Sequence, residues 1–482
     1  MRPEPRLKAY LLGLILLLIA SPLAPCASAL TQDEFETVMI GETKIIMRQT
    51  DEYGNQASIF AIMLAGHGQQ RPDEAHCAHV AEHTVFRNPE KDEDALGDWV
   101  VKANSSSTPD WLLYNGWTGV DHTQFEITVP GEQIPEALER LLWGLFPEKI
   151  DKTAYDKEIN SRLKSELQYM TTNELATPFH AFNEHFYQGT PYCQNLFSVP
   201  VTQVKPEKVS EFMAREYSSS RLVIVLAGNF DQEAALAALQ NSVSRVPIEP
   251  RPAPPKVNLS LPPVAAVELT AVKHPLLMLG IGSDRVKPED VGLISTAMRI
   301  ALGRLASQPP DGFTASPSLL SLLRNSQSQG LLVSYEPKER LAAEQLEDQA
   351  ESLSPAAKEV LHDLAVAGPT REEVAPFLQE YDMEAGFQEN TPRTLIAAFL
   401  RGRQEIPGID DLSLQGITEE KLAAALQNAV ARYEGSLQYT VLAVMPGKTP
   451  ILAIAVGIGL AIVIIAAFVV LRRRMAARAG TP

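Results

Sequence analysis

His79, Glu82 and His83 stand in the order His-x-x-Glu-His. On a helix, side chains four residues apart share a face, with Cβ atoms about 5–6 Å apart. Two imidazoles so placed can grip one tetrahedral zinc ion. Glu82 would project beside the same face. Zinc lowers the pKa of water it binds to about 7, and a nearby carboxylate can accept the proton that water gives up. The pattern points to metal-assisted hydrolysis, with His79 and His83 as ligands and Glu82 as general base. The competing reading is a surface helix with two solvated histidines, and the surrounding chain has to decide between them.

A catalytic zinc needs a third protein ligand and an open position. Glu166 is the candidate, at the end of Glu158-Ile-Asn-Ser-Arg-Leu-Lys-Ser-Glu166 on an expected helix. Glu158, about two turns earlier, can share its face and act as an auxiliary carboxylate that orients a ligand or a substrate amine. Either glutamate taken alone reads as a solvated helix face; the upstream motif is what raises both. His67 and His76 lie close by, but three protein ligands already complete a catalytic site, so one zinc per chain is expected. Cys77 precedes His79 by two residues, points elsewhere on the helix and reads as a small packed side chain.

The elements that would hold these residues read as α+β. In the first half, strand-like runs at 37–47, 59–65, 124–129 and 221–227 accompany helical patterns at 135–146 and 152–169. The motif helix follows Pro72-Asp73-Glu74, an acidic helix start. In the second half, strands are expected at 264–272, 276–281, 330–335 and 438–444, and helices at 288–305, 355–367, 371–384 and 419–433. Residues 247–263 between them are proline-dense and resist both helix and central strand. The expectation is two similar lobes, 30–246 and 264–446, each a mixed or antiparallel sheet backed by helices, joined by a linker and related by duplication.

The 482 residues are 45% hydrophobic and 21% charged, a globular composition. A net charge of -17, with no Lys/Arg-rich run in the bulk of the chain, argues against nucleic acid as a partner. Both ends point to a membrane. Arg2, Arg6 and Lys8 precede an apolar run, and Ala27-Ser28-Ala29 fits a cleavage site, so residues 1–29 read as a signal peptide. Residues 451–471 carry no charge and as a helix would cross the roughly 30 Å of a bilayer's hydrocarbon. Arg472, Arg473, Arg474 and Arg478 follow, which places the tail 472–482 in the cytoplasm. The bulk would lie on the periplasmic or other extracytoplasmic side of an inner or plasma membrane, held by one transmembrane helix. Cys77 and Cys193 remain after the leader; an exported compartment permits a disulfide, and sequence leaves open whether the two meet.

Several stretches taken in order carry a resemblance. They are Cys77-Ala-His-Val-Ala-Glu-His-Thr-Val-Phe86, Asn115-Gly-Trp-Thr118, Asp121-His-Thr-Gln-Phe125, Glu158 to Glu166, Tyr217 to Asp231, and Ala367-Gly-Pro-Thr-Arg-Glu-Glu373. Together they resemble the pitrilysin and insulin-degrading-enzyme group of inverted-motif zinc peptidases, which includes the mitochondrial processing peptidases, over nearly all of 35–445. The resemblance implies a two-lobed clamshell with the zinc facing an enclosed chamber, and endopeptidase cleavage of peptides or unfolded segments. It implies that Asn115 lies on an edge strand and binds substrate backbone by strand addition, and that Arg324 helps to bind substrate.

The chain departs from the family in three places. The family's acidic residue usually lies seven before the third ligand; Ile159 stands there, and Glu158 is one residue off. The spacing from His83 to Glu166 is longer than usual, and the excess is assigned to a Ser-rich loop at 102–110. The family's second-half Arg is followed seven residues later by a Tyr. Here that motif is stretched and Val333 holds the place. Tyr335 is on the same strand face, either as a substitute or as a core residue. Some members divide zinc and Arg–Tyr between two chains, so a second copy or a related subunit is an expected partner. The alternative function is a non-catalytic binding or assembly subunit.

Overall fold

A computed structural model describes residues 35–89, 94–104, 108–194, 196–244, 246–248, 256–339, 343–378, 391–400 and 417–447. The expected signal peptide, membrane span and tail lie outside these residues; among the described residues no helix is long and apolar enough to cross a membrane.

The first lobe contains β1 (Glu36–Ile40), β2 (Thr43–Gln49), β3 (Gln56–Met63), α1 (Cys77–Arg87), α2 (Leu96–Asn104), β4 (Tyr114–Thr118), β5 (Thr123–Pro130), α3 (Ile134–Leu145), α4 (Lys152–Glu158), α5 (Lys164–Thr172), α6 (Ala176–Phe186), α7 (Pro206–Glu216), β6 (Leu222–Gly228) and α8 (Gln232–Val243). The second contains β7 (Val264–Leu269), β8 (Leu276–Ser283), α9 (Val291–Ser307), β9 (Phe313–Ala315), β10 (Ser321–Arg324), β11 (Gln329–Pro337), α10 (Ala343–Val366), α11 (Arg371–Leu378), α12 (Pro392–Leu400), α13 (Glu419–Tyr433) and β12 (Gln438–Pro446). The expected strand at 37–47 is a hairpin, because Gly41 turns with φ 59, a conformation without steric cost for glycine. The stretch expected as a loop at 102–110 is helical at its start, where the Asn104 side-chain amide donates to the carbonyls of Val100 and Thr128.

The sheets run β1-β2-β6-β3-β5-β4 and β10-β11-β8-β12-β7. Reversing the second aligns β7-β12-β8-β11-β10 with β2-β6-β3-β5-β4. In each, the first pair is parallel and the others antiparallel. The same mixed sheet is therefore built twice. The central strand β6 is buried along its length, as its unbroken apolar run requires.

Helices of the same lobe cover one face of each sheet: Ile59, Phe125, Val85 and Leu138 share one core, Leu279, Val333, Ala301 and Leu361 the other. The second face of each is covered by the opposite lobe. From α12, Leu395, Ile396 and Phe399 pack with Phe60, Ile62 and Val225. From α6, Phe182 and Phe186 lie over Gly280 and Gly282 of β8, where an added Cβ would come within 2.3 and 2.5 Å of the two rings. This exchange corrects the clamshell expectation. The faces on which a chamber between the two lobes would open are filled by apolar side chains of the partner lobe, so the lobes interlock. Part of the proline-dense segment is packed as well: Val257 and Leu259 are buried in that interface, and Gln438 bonds both the Leu259 carbonyl and the Leu261 N–H.

Candidate metal centre and active site

Helix α1 is buried at most positions. It starts after His76, whose backbone takes φ 68 and whose Nε2 lies 2.6 Å from the Val199 carbonyl. One turn apart on α1, the His79 and His83 rings have centroids 5.1 Å apart. Glu166, on α5, reaches both: its Oε1 is 3.5 Å from His79 Nε2 and its Oε2 3.4 Å from His83 Nε2. Ligand atoms from all three lie within 4.8 Å of one another, the one such cluster of three among the described residues. A tetrahedral zinc with bonds of about 2.0–2.1 Å holds its ligand atoms roughly 3.3 Å apart, so this donor set fits zinc.

Glu158 explains its own irregular spacing. Between α4 and α5 the chain makes a π-helical turn, Ile159–Leu163, which takes up one extra residue. A glutamate eight residues before Glu166 thereby comes to the face that seven would reach in a regular helix. Its Oε1 sits 2.8 Å from His83 Nδ1, leaving Nε2 of that ring directed at Glu166. The other Glu158 oxygen is 3.8 Å from Arg87 Nε. Burial alone would lower the His83 pKa, but the Glu158 and Glu166 carboxylates outweigh it and raise the ring to about 10. Desolvation of the half-buried Glu166 would raise its pKa, yet the His79 and His83 rings hold it well below the usual carboxylate range.

Glu82 is 7% exposed. Its Oε2 accepts a 2.8 Å hydrogen bond from the Thr118 hydroxyl, and a Cβ at Gly116 would come within 2.3 Å of its Oε1. Burial raises the Glu82 pKa; the rings of His79 and His83 oppose this, Glu166 adds to it, and Thr118 opposes it. Both Gly116 and Thr118 belong to β4, which is the edge strand of its sheet. Asn115 is therefore on an edge strand, as expected. Strand alternation puts Asn115 and Trp117 on the face opposite Gly116 and Thr118, with Asn115 across from Glu126.

Other expectations fare differently. Tyr335 is 1% exposed and its hydroxyl donates to the Leu305 carbonyl at 3.2 Å, so it is a core residue and does not replace the family's second-half Tyr. Arg324 ends β10, opposite Gln329, in a turn whose Ser326 reaches Asp121 of the first lobe. His67 and His76 stay outside the three-donor cluster. Burial and the nearby His79 lower His67 to about 3 and His180 to about 4, so both rings are neutral beside the site. Cys77 and Cys193 are not joined; Cys77 is buried, and burial pushes its thiol up to about 12. Sequence reasoning did not single out Gly116, Thr118 or Asp121. Two-residue alternation along Asn115-Gly-Trp-Thr118 was the available signal for the first two.

Residues 203–292 match the family model described as the peptidase M16 inactive domain. That segment contains none of His79, Glu82, His83 and Glu166. Among curated proteins, the mitochondrial-processing peptidase subunit beta of Dictyostelium discoideum is 22% identical over 213 residues, 44% of each chain. Cytochrome b-c1 complex subunit 1 of Bos taurus is 25% identical over 132 residues, 27% of each. The alignments thus span less than half the length of these relatives. Among solved structures, a peptidase M16 inactive domain from Pseudomonas fluorescens superposes with TM-score 0.62 at 14% identity, covering 86% of this chain and 99% of that one. The periplasmic protease PqqL of Escherichia coli gives TM-score 0.55 at 14% identity over 89% of this chain but 50% of its own. The chain therefore has the mixed α+β fold of M16 peptidase domains and carries, over residues 203–292, the signature of their inactive domain.

Proposed function

We propose that this chain is an exported zinc endopeptidase that cleaves peptides or unfolded segments and is anchored by residues 451–471. The observation that carries the reading is the convergence of His79, His83 and Glu166 on one ion-sized space, with the buried Glu82 beside it. These three residues would hold the zinc, and Glu158 would fix the ring of His83. When bound, zinc would acidify a coordinated water and polarise a carbonyl. Glu82 supplies the base: burial raises its proton affinity, which suits a carboxylate that must accept a proton near neutral pH. Thr118 occupies one Glu82 oxygen and leaves the other, beside Gly116, to take the proton. Substrate backbone would add to the outer side of β4 near Asn115, with Arg324 as a further contact. Because the two lobes interlock, an enclosed chamber over this site would need a second copy or a related subunit, in keeping with the match to half of PqqL.

The test is metal analysis with a peptide-library digest of the full chain. Glu82→Gln should retain one zinc and lose turnover, whereas His79→Ala and His83→Ala should lose both. Wild-type cleavage rates in Glu82→Gln would end this assignment. A second reading, a non-catalytic binding or assembly subunit, is favoured by the match to the inactive domain; it predicts zinc binding without cleavage in the wild type.

A further inference from the structure

The turn between β4 and β5 is held from both lobes. Asp121 in that turn is 4% exposed. It accepts three hydrogen bonds: from the Tyr192 hydroxyl at 2.6 Å, the Ser326 N–H at 2.7 Å and the Ser326 hydroxyl at 3.0 Å. Tyr192 belongs to the first lobe, and Ser326 to the β10–β11 turn of the second. The first lobe also grips the turn through backbone: Gly119 and Val120 carbonyls accept from His67 and Gly68 N–H at 2.9 and 2.7 Å. Gly66 allows that approach, since a Cβ there would meet the Gly119 carbonyl oxygen at 2.3 Å. Immediately before the turn stands Thr118, the donor to Glu82. The second lobe touches the neighbouring strand again where Arg393 pairs with Glu126, the residue across from Asn115.

We propose that Asp121 is a positioning residue through which the second lobe sets the β4–β5 turn, and with it the Thr118 hydroxyl that aims Glu82. The inference rests on Glu82 being the general base. A misplacement of about 1 Å in a reacting group can cost 100-fold in rate, so a strap that fixes the carboxylate's partner acts on turnover without touching substrate. The second lobe would then contribute to hydrolysis although no metal cluster lies in its described residues.

Asp121→Asn keeps the side-chain shape but removes the charge and one acceptor oxygen. An NH2 facing the Ser326 N–H loses that bond, and an NH2 facing the Tyr192 and Ser326 hydroxyls forces both to turn from donating to accepting. In the zinc-loaded full chain, kcat should fall about tenfold with KM changed by less than about twofold and zinc content unchanged. Hydrogen exchange at amides 119–123 should accelerate. In a Thr118→Val background the same substitution should add less than about a twofold loss, because the two act along one line. Ser326→Ala and Tyr192→Phe each remove one donor and should show the same pattern more weakly, which covers the case in which Asp121→Asn fails to fold. Losses that multiply independently of Thr118, or exchange at 119–123 unchanged in all three variants, would overturn the proposal and leave Asp121 as interface packing. A wild-type chain without turnover would remove the general-base reading. The exchange measurement would still decide whether the second lobe holds the turn.

Discussion

Replacing Glu158 measures how much of the metal affinity is held outside the ligands. Its carboxylate lies 2.8 Å from His83 Nδ1, and the side chain is 12% exposed. Glu158→Ala removes the acceptor, frees rotation of the His83 ring and leaves Arg87, 3.8 Å from the other carboxylate oxygen, without that partner. Losing such an outer contact typically costs 10–100-fold in metal affinity, about 1.4–2.7 kcal/mol. The bond is nearly dry and the remaining cation repels an incoming ion, so the expected loss for Ala is about 100-fold. Gln keeps an oxygen for Nδ1–H and should lose about 10-fold. A second effect opposes these losses. Glu158 helps raise His83 to about 10, so its removal weakens the proton's competition for the ring. That gain fades as pH approaches 10, whereas the loss of orientation persists. Zinc competition against a chromophoric chelator at pH 7 and again near pH 9.5, with zinc per chain from elemental analysis, separates the two. Wild-type affinity in Glu158→Ala at the higher pH would refute the reasoning.

Four other outcomes follow from the structure. Without metal, His83 holds a proton up to about 10, so zinc affinity should rise about tenfold per pH unit below that value; a flat titration would contradict it. The same raised pKa stabilises the metal-free fold below the unfolded value of 6.5, and that contribution is lost as pH rises through about 10, which thermal unfolding across that window should show. Gly116→Ala puts a methyl within 2.3 Å of Glu82 Oε1 and should lower kcat by about tenfold or more with zinc retained; unchanged kcat would place β4 wrongly. Cys77, with its thiol pushed up to about 12, should resist iodoacetamide at pH 8 in the native chain and react only on unfolding.

The convergence of His79, His83 and Glu166 was legible because one helical turn is enough to specify that the two histidines share a face, and because Glu158 and Glu166 stood on a recognisable helix. The edge position of Asn115 was also legible, through the resemblance. What escaped has a physical reason in each case. The offset of Glu158 looked like a departure because a π-helical turn has no sequence signature comparable to a cap or a glycine turn. Thr118 acts across the gap between strand and helix, a contact that depends on the 3D placement of β4. The Asp121–Ser326 bonds join residues 205 positions apart in the chain and the Asp121–Tyr192 bond residues 71 apart, beyond any periodicity. Tyr335 illustrates the opposite error: alternation placed it on the right face, but that face is the core of the second lobe.

The two lobes share a sheet order but not the candidate metal site, and the packing gives a reason why the two can separate. In the second lobe α9 follows β8 as α1 follows β3, yet Val291–Ser307 contains no His, Cys, Asp or Glu, so it cannot hold a metal. The sheet order is nonetheless kept, strand for strand. Among the described residues, each sheet has one apolar face that is covered by a helix of the other lobe. Exposing either face would place several buried side chains in water at roughly 1.5–3 kcal/mol each, more than a marginally stable domain can lose. Reciprocal coverage therefore constrains both lobes to keep their fold, whereas the proposed hydrolysis would require only one metal cluster. An α9 without histidines is tolerated so long as its buried face, with Met298 and Ala301, keeps its place in the second-lobe core and α12 still lies on β3 and β6; the second lobe would then be free to serve the proposed site as a scaffold.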